Sequence, residues 1–253
     1  MDLGLRDRVY LLTGATRGLG AATARCLADD GAKLLVAGRD PDRAAAAAAA
    51  LGGPDRAVGE AADLADPAAP QRLVDRALAA FGRLDGALVS VGGPPPGPAG
   101  AADDDAWRAA FETVFLGMLR CVRTVAAALP DGGAVGLVLS SSARTPIPGL
   151  GISNGLRPGL AGVAKELADA YAPRGVRVFS LLPHRIMTDR NRDLFAATGD
   201  PERARAEAEA AIPLGRLGEP AEFGRVAAFL LSPAASYLTG LAVPVDGGAL
   251  RSW

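Results

Sequence analysis

The 253-residue chain is 49% hydrophobic, and 27 Lys+Arg against 28 Asp+Glu leave a formal net charge of −1. That length and apolar content suit one large α/β core, and the even charge excludes the basic footprint of a nucleic-acid or anionic-membrane binder. No apolar run approaches the ~20 residues that span a bilayer. One histidine and two cysteines offer no metal-ligand set. Cys26 and Cys121 fall on predicted helices among apolar neighbours and read as buried, reduced thiols. Asp2 to Asp7 hold no signal-peptide core, so a cytoplasmic protein is expected.

Val9-Tyr10-Leu11-Leu12 reads as a buried strand, followed by Thr13-Gly14-Ala15-Thr16-Arg17-Gly18-Leu19-Gly20 and then helix-forming Ala21 to Ala28. A strand, a glycine turn and a helix start in that order make a phosphate site. Glycine lets the backbone approach a ligand closely, and the first helical turn presents free N–H groups backed by the helix dipole. Gly14, Thr16, Arg17, Gly18, Leu19 and Gly20 are therefore candidate cofactor residues. A second strand, Lys33 to Ala37, ends in Gly38-Arg39-Asp40. An NAD site places an acid near this point to hold the ribose 2′-hydroxyl. Gly38 stands there instead, and Arg39, helped by Arg17, suits a 2′-phosphate. NADP(H) is therefore favoured over NAD(H). Asp40 with Pro41 also fits a helix cap, opening an alanine-rich helix that Gly52-Gly53-Pro54 stops.

A third strand, Arg56 to Ala62, ends at Asp63-Leu64, where the aspartate suits either an adenine amino group or a helix cap. Asp66-Pro67 opens a helix to Phe81. Gly86 to Val91 is a fourth strand, running into the stiff loop Gly92 to Pro98. Loops at the carboxyl ends of parallel strands line the ligand crevice, which brings Gly92 into the candidate set. Asp103-Asp104-Asp105 caps a helix from Ala106 to Leu129. Strand Gly133 to Leu139 delivers Ser140, and a helix covers Leu150 to Tyr171. Strand Val176 to Leu182 ends in Pro183-His184-Arg185. The polar, alanine-rich stretch 186–211 reads as a mobile helical lid over a small-molecule substrate. Glu219-Pro220 starts a helix to Leu231, and Leu241 to Val245 is a last strand before Asp246-Gly247-Gly248. With no repeat or linker, residues 1–253 read as a single domain of doubly wound, Rossmann-type α/β class.

Several motifs together resemble the short-chain dehydrogenase/reductase family, of the 3-oxoacyl-carrier-protein reductase type, over nearly the whole chain. They are Thr13 to Gly20, Asp63-Leu64, Phe81 to Asp85, Ser140, Pro183 with Ile186 and Thr188, Leu214 to Pro220, and Thr239-Gly240 with Asp246 to Gly248. The resemblance implies a seven-stranded parallel sheet flanked by helices and a homo-oligomer, tetramer or dimer. It also implies carbonyl–alcohol chemistry with a nicotinamide cofactor, through an Asn-Ser-Tyr-Lys tetrad. Pro183, Ile186 and Thr188 join the cofactor candidates on that basis.

The tetrad is where the sequence departs from the family. Ser140 keeps the serine position, but family spacing puts Ser153 where tyrosine belongs, Arg157 where lysine belongs and Val114 where asparagine belongs. Serine is too short and too weak an acid to replace a phenol. Arg157 still carries charge and can hold the nicotinamide ribose, but it cannot relay a proton. His184 replaces the family's glycine and is a candidate proton donor. The candidate catalytic set is Ser140, Ser153, Arg157 and His184. Three readings stay open: an NADPH-dependent reductase of a ketone, enone or iminium-like substrate; a non-redox isomerase, dehydratase or cyclase; and a silent cofactor-binding protein.

Overall fold

Short apolar runs bounded by glycine and polar turns become strands, and the alanine- and leucine-rich stretches between them become helices. The computed structural model describes residues 2–251. Its strands are β1 (Val9–Leu12), β2 (Lys33–Gly38), β3 (Ala57–Ala61), β4 (Gly86–Val89), β5 (Ala134–Val138), β6 (Arg177–Pro183) and β7 (Ala242–Val245). They form one parallel sheet in the order β3-β2-β1-β4-β5-β6-β7. The central strands are buried on both faces, as a parallel sheet between helix layers requires. One apolar core joins the sheet to α3 (Ala69–Phe81), α4 (Asp104–Ala110), α5 (Gly117–Ala128) and α6 (Gly151–Tyr171). A second joins its other face to α1 (Gly18–Asp29), α2 (Pro41–Ala50) and α9 (Pro220–Leu231). This is the expected doubly wound, Rossmann-type sheet.

The strand order reverses between β1 and β4, and a ligand crevice opens at the carboxyl ends of strands at such a point. Thr13 holds that seam shut. Its hydroxyl donates to the Ser90 carbonyl at 2.7 Å and accepts from the Ser90 N–H at 2.8 Å. At the opposite end of the sheet, the buried Arg177 guanidinium donates to the carbonyls of Leu230, Leu231, Ser232 and Leu238. It thereby satisfies the orphan acceptors where α9 stops.

Several elements differ from the sequence expectation. The helix expected over 106–129 begins at Asp104, with Asp103 accepting from the Ala106 N–H at 2.8 Å. It is interrupted by a π-helical stretch, Phe111–Leu116, before continuing as α5. The rod has to pass close to the turn after β3 here: a Cβ on Gly117 would stand 2.5 Å from the Leu64 carbonyl oxygen. Such a widened turn re-aims side chains, and Val114 faces the crevice from it. Helix α3 starts at Ala69, two residues later than expected, and Asp66 before it accepts from the Ala68 N–H and from Arg72. Strand β4 stops at Val89, where the Thr13 clamp takes over. Cys121 is buried but Cys26 only partly so, since its face of α1 packs against α9 at Gly224 without being covered. The stretch 186–211 forms α7 (Asp189–Ala196) and α8 (Pro201–Ala210). It packs through Phe195 against Ile212 and Leu217, which lie just beyond it, with Met187 and Ala204 against them.

Candidate active site

Backbone geometry builds the first part of the crevice. Gly14 and Gly18 both sit at φ +58°, and a Cβ on Gly20 would lie 2.4 Å from the Gly14 carbonyl oxygen. No other residue fits that turn without moving the chain. Arg17, the N-cap of α1, contributes no side-chain cap, so the first-turn N–H groups keep their donor capacity for a ligand. The loop is anchored to β2 by the Ala15 N–H donating to the Ala37 carbonyl at 3.0 Å. A Cβ on Gly38 would stand 2.6 Å from the Thr16 methyl, so the space an acid would need at the end of β2 belongs to Thr16.

Around this loop, one cavity of about 910 Å³ is lined by every cofactor and catalytic candidate read from the sequence. At one end lie Gly14, Thr16, Arg17, Gly18, Leu19 and Gly20, with Arg39, Asp63 and Leu64 beside them. Arg43 also lines this end and went unnoticed in the sequence. It sits in the first turn of α2, where it pairs with Asp40 at 3.3 Å. Asp40 caps α2 as expected, accepting from the N–H groups of Asp42 and Arg43. Asp63 caps no helix: it is exposed and accepts from the Ala65 N–H at 3.0 Å in a local turn. Gly92 opens the proline-rich loop, which is tied to the start of α6 by bonds between Gly97 and residues 149 and 151. Pro183, Ile186 and Thr188 line the third side. The Ile186 carbonyl is held by the Asn191 side chain at 2.6 Å.

At the other end stand Ser140, Ser153, Arg157 and His184. Ser140 closes β5, and its hydroxyl accepts from the Ser142 N–H at 3.1 Å. The His184 Nδ1 meets the hydroxyl of Ser141, not Ser140, at 2.8 Å. The Ser153 hydroxyl is bonded to that of Ser142 at 3.1 Å. Ser141 and Ser142 are thus the supports of this wall, and only their place in the serine triplet hinted at it. Burial pushes the His184 pKa below its ordinary value. Nearby Arg185 adds to that, with Asp246 opposing it, so the imidazole is neutral at pH 7. Arg157, 4% exposed, donates to the Val138 carbonyl at 2.8 Å while its Nε has no partner. Its pKa is brought down to about 10 by desolvation and then by the positive charge of Arg190. None of the three tyrosines lines the cavity: Tyr10 is in the core with its hydroxyl toward the Leu231 carbonyl, Tyr237 is fully exposed, and Tyr171 ends α6. Val114 lines it in place of a polar group.

Comparison with known proteins agrees with this geometry. Residues 14–249 match the family model described as enoyl-(acyl carrier protein) reductase. The chain belongs to the short-chain dehydrogenase/reductase superfamily. It is 32% identical to cis-4-hydroxycyclohexanecarboxylate dehydrogenase of Sinomonas cyclohexanicum, over 98% of each chain. It is also 32% identical to L-rhamnose 1-dehydrogenase (NAD(P)(+)) of Azotobacter vinelandii, over 96% of this chain and 97% of the other. Among solved structures, L-sorbose reductase of Gluconobacter frateurii, complexed with NADPH and L-sorbose, superposes with a TM-score of 0.92 at 28% identity over the whole of both chains. These superfamily members are oxidoreductases, and no helix of this chain is long and apolar enough to cross a membrane among the described residues.

Proposed function

We propose that this superfamily member is an NADPH-dependent reductase with an atypical catalytic set. The observation that carries the reading is one crevice holding both a built phosphate loop and a polar wall of Ser140, Ser153, Arg157 and His184. The glycine loop fits a dinucleotide, since its close backbone approach and uncapped helix start are what a pyrophosphate needs. Gly14, Thr16, Arg17, Gly18, Leu19 and Gly20 would hold the phosphates, Asp63 and Leu64 the adenine, and Gly92, Pro183, Ile186 and Thr188 the nicotinamide half. Thr16 filling the space beside Gly38, with Arg17, Arg39 and Arg43 around it, supports a 2′-phosphate over a bare ribose. When bound, the nicotinamide supplies a hydride.

The chain's own residues then orient a carbonyl and manage charge. Ser140 donates toward the substrate oxygen, and Arg157 places a fixed positive charge where negative charge develops. Ser153 cannot act as a phenolic acid, and Arg157 cannot relay a proton. His184, its Nδ1 fixed by Ser141, is the group on this wall that can carry a proton near neutrality; we assign it the proton donation in its charged form, so turnover should rise as pH falls toward its lowered pKa. Enones and iminium-like compounds, which demand least from a general acid, are proposed as substrates, together with ketones, which need the proton assigned to His184. Helices α7 and α8 act as a lid over them, within a single domain, and the enzyme works as a cytoplasmic homo-oligomer. Oxidation of NADPH with a panel of such electrophiles, followed by its absorbance, tests the reading. Tight NADPH binding with no turnover across the panel would sink it. Product formed without any absorbance change would indicate a non-redox enzyme instead.

A further inference from the structure

The crevice carries more positive charge than a neutral carbonyl uses. Arg157, Arg185 and Arg190 all line it. Among the described residues none of the three has an ion-pair partner: of the nearby acids that line the cavity, Asp189 pairs with Arg192 at 2.7 Å and Asp193 pairs with none of them. Arg157 is almost fully buried, with one carbonyl bond and an unpartnered Nε. Arg190 reaches across from α7 to the carbonyls of Gly93 and Pro94 at 3.3 and 3.0 Å, which ties its guanidinium to the proline-rich wall of the cavity. Half-buried Arg185 lies over the Phe195 ring at 5.8 Å. Neutral acceptors of this kind satisfy N–H groups but leave charge uncompensated, and a buried cation is costly until an anion meets it. A ribose hydroxyl would fill one bond of Arg157 and likewise leave its charge.

We propose that Arg157 and Arg190, with Arg185 behind them, bind an oxyanion group of the substrate, a carboxylate or a phosphate ester. The inference rests on the reductase reading and narrows it: the substrate is an acidic carbonyl compound, and cationic iminium compounds are repelled. Paired guanidinium–oxyanion contacts are charge-assisted and directional, which gives them the strength to select on this group.

The test separates this inference from the reading beneath it by saturating the full-length protein with NADPH first. Failure to bind NADPH would count against the reductase reading alone. Benzoate, phenyl phosphate and benzamide, none with a reducible ketone, are then titrated into the saturated protein by calorimetry or ligand-observed NMR. At least one of the two anions is expected to bind about tenfold or more tighter than benzamide, the value of one or two charge-assisted bonds. Which anion wins identifies the group. Arg190→Gln, at a solvent-facing position, should cut the preference severalfold, and added salt should weaken the anion but not the amide. Arg157→Gln should abolish the preference if its melting curve shows it folded. Equal affinity for benzamide and both anions, no anion binding, or a preference unchanged in Arg190→Gln would overturn the proposal.

Discussion

At the scale of single residues, several side chains occupy space or carry charge which the family pattern assigns to others. Arg39 is the clearest case. Arg39→Ala is expected to weaken NADPH about 10- to 100-fold, the loss of a charge-assisted contact, with little effect on NADH. Fluorescence titration of both cofactors checks it. Gly38→Asp alone should weaken both, since its Cβ would stand 2.6 Å from the Thr16 methyl. Combined with Thr16→Ser, which removes that methyl, it should shift preference toward NADH. His184 gives a cleaner readout because it is the only histidine. Its pKa is depressed by burial, then by Arg185. In the window between that folded value and the ordinary 6.5, the unfolded chain binds more protons than the folded one. Stability should therefore fall as pH drops through this window and level off below it. Its single ring resonance should titrate below 6.5, and a midpoint above that would contradict the geometry. Ser140, Ser153, Arg157 and His184 could be picked from the sequence by spacing and rarity. The hydrogen bonds among Ser141, Ser142, Ser153 and His184 could not, because which of three adjacent serines faces which partner depends on the turn after β5.

At the scale of elements, the strands and most helices were readable because their apolar periodicity and glycine or proline stops are local signals. What escaped was set by contacts distant in sequence. The π-helical stretch of 111–116 sits where Gly117 meets the Leu64 carbonyl. The apolar contact of the lid was invisible because Phe195 lies on α7, while its partners Ile212 and Leu217 lie in the irregular stretch after α8. Two predictions belong here. Arg177→Met leaves the buried carbonyls at the end of α9 unsatisfied and should lower the melting temperature by roughly 5–10 °C, from about 2–3 kcal/mol lost. A melting point unchanged within a degree or two would show that water satisfies them. On α6, Ser153 and Arg157 lie one turn apart on the crevice side. The pair Ser153→Tyr with Arg157→Lys should restore a phenolic acid and raise turnover of a plain ketone by about 10². The same pair should weaken the binding of acidic substrates if Arg157 holds their anion.

For the whole molecule, the parallel order β3-β2-β1-β4-β5-β6-β7 explains why residues from eight separate segments meet in one cavity. Loops at the carboxyl ends of the strands all open to the same side, and the order reverses beside the glycine loop. That convergence made the cofactor half legible from sequence, since each contributor follows a recognisable strand. The substrate half depends on α7 and its arginines, whose reach to the proline-rich wall only the folded chain reveals. The central claim is that this crevice holds NADPH through the glycine loop and the arginines beside it. Calorimetric titration of the purified chain with NADPH and NADH decides it most directly. We expect saturable one-to-one NADPH binding at least about tenfold tighter than NADH, as a 2′-phosphate held by charge-assisted bonds implies. No affinity for either dinucleotide, or tighter binding of NADH, would contradict the account.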